Sequence, residues 1–81
     1  MDSGRAAMDR NAEQVWLKPS GAPVSCVEKI KVLNENYAEL KALAHDALED
    51  ALILGCSTEQ FRQILHDMID GLTSSIAESD E

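Results

Sequence analysis

The sequence predicts an all-α fold, an antiparallel α-helical hairpin completed as a helical bundle by dimerisation or by a partner. Three observations carry that prediction. Apolar residues recur at alternating spacings of three and four from Ile30 to Leu54, and a second apolar face runs from Phe61 to Ile76, as a one-sided helical stripe requires. Serine-led capping patterns precede both runs, at Ser25 and at Ser57. The linker Gly55-Cys56-Ser57 is short enough to demand that the second helix fold back on the first.

The first helix is expected to open at Ser25-Cys26-Val27-Glu28, where the serine oxygen can accept from the Glu28 N–H while the glutamate reaches back. Pro23 fits badly inside a helix and helps to define that start. The seam then runs through Ile30, Leu33, Tyr37, Leu40, Ala44, Ala47, Ala51 and Leu54, widened by Leu43, Leu48 and Leu52. One local conflict lies at Leu33-Asn34-Glu35-Asn36, because asparagine is a poor helix former and Asn36 with Glu39 can form a second cap. A single long helix is preferred, since the seam crosses the asparagines in register. The alternative is a first helix kinked near Asn34–Asn36, or divided into 26–33 and 37–54. Gly55 is the expected C-cap.

For the second helix Ser57 is the expected N-cap, with Gln60 at the third helical position. Phe61, Ile64, Leu65, Met68, Ile69, Leu72 and Ile76 form its apolar face, and Gly71 with Thr73-Ser74-Ser75 weakens its last turns. The chain therefore divides into a disordered or loosely packed N-terminal arm over 1–23, a helical hairpin domain over 24–76 and a frayed acidic tail over 77–81. Trp16-Leu17 stands out in the arm. A clip folded back onto the helices is the preferred reading, and an anchor for a partner is the other.

A chain of 81 residues has room for one small domain, whose core rarely supplies more than roughly 3–5 kcal/mol. The first helix, if continuous, spans about 43 Å and the second roughly 25–30 Å. The overhang bearing Val27, Ile30 and Leu33 must then be covered by Trp16 and Leu17 or by another chain. A protein partner, a homodimer, or both are the expected partners. Such contacts rest on a few anchors, for which the sequence offers Ile30, Leu33, Tyr37, Leu40, Phe61, Leu65, Met68 and Trp16.

Charge narrows the partner class. The formal net charge is −8, and residues 57–81 hold only Arg62 against Glu59, Asp67, Asp70, Glu78, Asp80 and Glu81. Such a surface repels phosphate backbones and favours basic partners or plain solubility. No apolar run approaches the ~20 residues of a membrane helix, and the opening Met1-Asp2-Ser3-Gly4-Arg5 leads into polar sequence. A cytoplasmic setting, no membrane association and free thiols at Cys26 and Cys56 are the corresponding expectations. Cys26 is read as a small buried apolar residue.

Groups that could carry chemistry are few. His45-Asp46 and His66-Asp67, with Glu49 and Asp70 four residues beyond each histidine, make a two-histidine, two-carboxylate metal site conceivable. Both histidines fall beside the seams, so solvent exposure is expected instead, with no metal and no cofactor. A Cys–His pair lacks a third group, and there is no Gly-rich phosphate loop or nucleophile elbow. The chain is expected to be neither an enzyme nor a binder of a small-molecule substrate.

The run from Ala51 through Gly55 to Ile64 resembles a helix-turn-helix. That resemblance implies Thr58, Glu59, Arg62 and Gln63 in a major groove and a DNA-binding regulator as the alternative function. One arginine among acidic residues opposes it. The turn Gly55-Cys56-Ser57-Thr58-Glu59-Gln60-Phe61 also resembles that of the small helical-hairpin co-chaperones of type III secretion needle subunits, in the turn and in general size only. A further alternative, resting on charge alone, is an acidic nucleic-acid mimic that inhibits a basic protein. The leading expectation is a non-catalytic protein–protein interaction module of the adaptor, chaperone, docking-domain or anti-activator type.

Overall fold

The computed structural model describes residues 14–80. The expected disorder of residues 1–13 and the fraying of Glu81 lie outside them. Two helices make up the described chain, α1 (Val27–Ile53, 27 residues) and α2 (Thr58–Asp70, 13 residues), an all-α hairpin.

α1 begins one residue later than a Ser25 cap predicts. Cys26 takes the cap position: its carbonyl accepts from the Ile30 N–H at 2.9 Å, and its sulfur accepts from the backbone N–H groups of Lys29 and Glu28. Cys26 is exposed, not the small buried apolar residue expected, because a capping side chain must turn back over the open first turn. The helix runs without interruption through Asn34 and Asn36, so it is not divided in two.

The end of α1 follows from one glycine. Gly55 sits at φ 100°, its N–H donates to the Leu52 carbonyl at 3.1 Å, and the Cys56 N–H donates to Ala51 at 2.8 Å. These are the paired bonds of a Schellman C-cap. Two residues on, Ser57 Oγ accepts from the Gln60 N–H at 3.0 Å and caps α2.

α2 is shorter than its apolar pattern suggests. It stops at Asp70, where the Gly71 N–H donates to the Asp67 and Met68 carbonyls. Leu72 and Ile76 therefore leave the helical face and are exposed, at 70% and 81%. Glycine followed by Thr73, Ser74 and Ser75 is poor helical sequence, and Ser74 Oγ accepts instead from the Ile76 N–H at 2.9 Å.

The chain forms two compact units, one over Ala38–Ala77 and the other over the preceding chain with 78–81. In the latter, residues 14–23 of the expected loose arm, together with Val24, make a tight turn. The Gly21 N–H donates to Lys18, the Lys18 N–H to Ala22 and the Val24 N–H to Trp16, each at 2.8 Å. Pro19 supplies the fixed φ that the first turn position favours, and Gly21 takes the φ of 96° that closes it. The turn lies on α1, where Trp16 Nε1 donates to Asn34 Oδ1 at 2.8 Å. Asp80, in the tail expected to fray, accepts from the Ser20 N–H at 3.1 Å.

In the unit Ala38–Ala77, the half-buried residues are Ala44, Ala47, Leu48, Ala51, Cys56, Phe61 and Leu65. Apart from Cys56, which lies in the linker, they form one seam between α1 and α2. No residue among those described is fully buried.

Candidate functional site

The residues expected to bind a partner separate into two groups. Trp16, Ile30, Leu33 and Tyr37 are half-buried in the unit that precedes Ala38. The Trp16 and Tyr37 rings meet edge to face with centroids 6.5 Å apart, and Ile30 and Leu33 line clefts beneath the turn. They serve the clip that Trp16 was expected to make. The cleft that Leu33 lines, of about 250 Å³, is bordered also by Leu17, Cys26 and Lys29.

The second group belongs to the hairpin. Phe61 and Leu65 are half-buried in its seam, whereas Leu40 and Met68 are 66% and 55% exposed. Leu40 has the right register for the seam but lies toward the end of it that is farthest from the linker. Leu43, Leu54 and Ile64 are also exposed, at 67%, 84% and 51%. Sequence reasoning placed these residues on or beside the seams without treating them as contact residues. The available signal was that Leu43 and Ile64 sit one helical step off the seam's centre line.

Thr58, Glu59, Arg62 and Gln63 are all exposed on α2. Gln63 Nε2 donates to Asp67 Oδ1 at 3.0 Å, which ties that amide to a carboxylate. Over Ala38–Ala77, Lys41 and Arg62 stand against seven carboxylates, Glu39, Asp46, Glu49, Asp50, Glu59, Asp67 and Asp70, a net of −5.

His45 is exposed, with Nε2 3.4 Å from Glu49 Oε2 and Nδ1 3.7 Å from Asp46 Oδ1. Among the described residues, no group of three or more His, Cys, Asp or Glu side chains is placed to hold a metal ion. The Lys29 N–H, and after it the Glu28 N–H, hold the Cys26 thiol below its ordinary pKa. The hydrogen bond to Glu35 at 2.6 Å raises that of Lys31. No described helix is long and apolar enough to cross a membrane. Set against protein-family models, curated proteins and solved structures, the chain matches none of them.

Proposed function

We propose that this protein is a non-catalytic protein–protein interaction module that binds a protein partner through an exposed apolar helical face. One observation carries the reading: the described residues hold no fully buried side chain, while Leu40, Leu43, Leu54, Ile64, Met68 and Ile69 are all more than half exposed on one short hairpin. Helical hairpins of this size leave apolar area that another chain can cover. The net charge of −5 over Ala38–Ala77 argues against a phosphate backbone as that ligand.

The test is affinity capture with the whole chain, with and without nuclease, alongside a Leu40→Asp variant whose helicity is checked by circular dichroism. A discrete protein retained in both samples and lost with the helical variant supports the reading. Nucleic acid that nuclease removes, or equal retention by the variant, would overturn it.

A further inference from the structure

Five of the eight large apolar residues exposed between Leu40 and Ile69 lie on one side of the hairpin, with Leu52, Ile53 and Ile69 elsewhere, and both basic residues lie on the other side. Each residue of a helix turns by about 100°. On α1, whose seam centres on Ala44 and Ala51, that step places Leu40, Leu43, Ala47 and, one residue past the helix end, Leu54 on one flank. Lys41, His45 and Leu52 fall on the other. On α2, whose seam centres between Phe61 and Leu65, Ile64 and Met68 take one flank and Arg62, His66 and Ile69 the other. The two helices run antiparallel with their seams facing, so flanks of the same rotational sense lie on the same side of the hairpin. Leu40, Leu43, Leu54, Ile64 and Met68 thus border one groove between the helices, and each is more than half exposed.

The rims of this groove are acidic. Farther round α1 in the same direction come Asp50, Glu39 and Asp46, and on α2 Asp67. Both basic residues of the unit, Lys41 and Arg62, and both histidines lie on the opposite side, where Glu49, Glu59 and Asp70 interleave with them. A second copy laid symmetrically in this groove would bring the same carboxylates against one another, which like-charge repulsion disfavours. A helix with a leucine-type apolar face flanked by Lys and Arg meets both features at once.

We infer that the groove bordered by Leu40, Leu43, Leu54, Ile64 and Met68 takes a basic amphipathic helix of a partner protein as the third helix of a bundle. The inference rests on the interaction role proposed above and names its partner class. From Leu40 to Leu54 the groove is about 21 Å long, which fits a partner helix of about 14 residues. Apolar contacts carry the affinity, and the carboxylate rim sets the orientation and the choice of partner.

The experiment is residue-resolved NMR titration of the full chain with three synthetic 14-residue amphipathic peptides. They share one leucine face and carry lysine, glutamine or glutamate on the other. The lysine peptide is expected to bind and to shift resonances of Leu43, Ile64 and Met68. Leu43→Gln is expected to weaken it about tenfold, Leu52→Gln, on the opposite side, to leave it unchanged, and added salt to loosen it.

Equal binding of all three peptides on this face would overturn the basic-partner inference while leaving the interaction role intact. So would shifts confined to Leu52 and Ile69. A sedimentation dimer dispersed by Leu43→Gln would identify a second copy as the occupant and overturn it in another way. Failure of every peptide to shift any apolar residue, with no self-association, would remove the interaction role as well.

Discussion

Trp16 and Asn34, eighteen residues apart, are joined by an indole N–H donation to the amide oxygen at 2.8 Å. The bond explains how a residue that weakens helices comes to sit inside α1: Asn34 is the acceptor that fixes the turn over 14–24. It also sets the indole and the Tyr37 ring edge to face, at 75° between ring planes, an arrangement favoured by the ring quadrupoles.

Replacing that acceptor should loosen the turn without harming the helix. Asn34→Leu leaves a half-buried N–H without its partner, a loss of about 1 kcal/mol, while leucine is the better helix former. Trp16 is the sole tryptophan, so its emission reports the local change. The expected result is a shift to longer wavelength with far-ultraviolet ellipticity undiminished. Emission identical to that of the parent protein would show that the bond does not hold the turn.

Gly55 offers a test of the cap between the helices. A Cβ there would meet nothing within 4 Å, so any effect of Gly55→Ala arises from holding alanine at φ 100°. That conformation costs about 1 kcal/mol. The variant should lower the thermal midpoint, and Gly55→Asn should lower it less, because asparagine tolerates left-handed backbone better. Equal midpoints for all three would mean that the turn can relax away from this conformation.

Ser57 is open to a similar comparison. Its hydroxyl holds the Gln60 N–H at 3.0 Å, and Ser57→Ala should cost about 1 kcal/mol of α2 stability. Ser57→Asp retains the acceptor and adds a charge favourable to the positive end of the helix. Chemical denaturation should rank the aspartate variant at or above the parent and the alanine variant below both. A neutral alanine variant would contradict the role of the cap.

Much of this architecture was legible because it is local. Ser57, Gly55 and the seam of Ala44, Ala47, Ala51, Phe61 and Leu65 each declare themselves within a turn or two of sequence. What escaped depends on longer range or on competition between neighbours. Asn34 reads as a weak helical position until Trp16 arrives from eighteen residues away. Ser25 and Cys26 compete for one cap, and the sequence preference for a hydroxyl does not decide which residue sits at the last non-helical position. Leu72 and Ile76 continue the apolar pattern, but periodicity cannot register that Gly71 has already released the chain. The sorting of exposed leucines and charges onto two sides becomes visible only once the two seams are known to face each other.

The cap at Cys26 gives a pH-dependent prediction. Backbone N–H donation by Lys29 and Glu28 holds its thiol below the ordinary pKa, since donors at a helix N-terminus favour the thiolate. With the folded value lower than the unfolded one, the thiolate stabilises the folded chain fully above the unfolded pKa. That contribution fades as pH falls through the folded pKa. In a Cys56→Ser background, iodoacetamide should therefore label Cys26 with a pH midpoint below that of the same chain in denaturant. Replacement separates the charge from the cap itself. Cys26→Ser supplies a neutral oxygen acceptor and should hold α1 as firmly at neutral pH, but it should lose the extra stability that the parent gains on going to alkaline pH. Cys26→Ala should lose both. If the labelling midpoint is the same in folded and denatured chains, the N–H groups of Lys29 and Glu28 are not directed at the sulfur in solution, and Ser25 becomes the residue to examine as the cap.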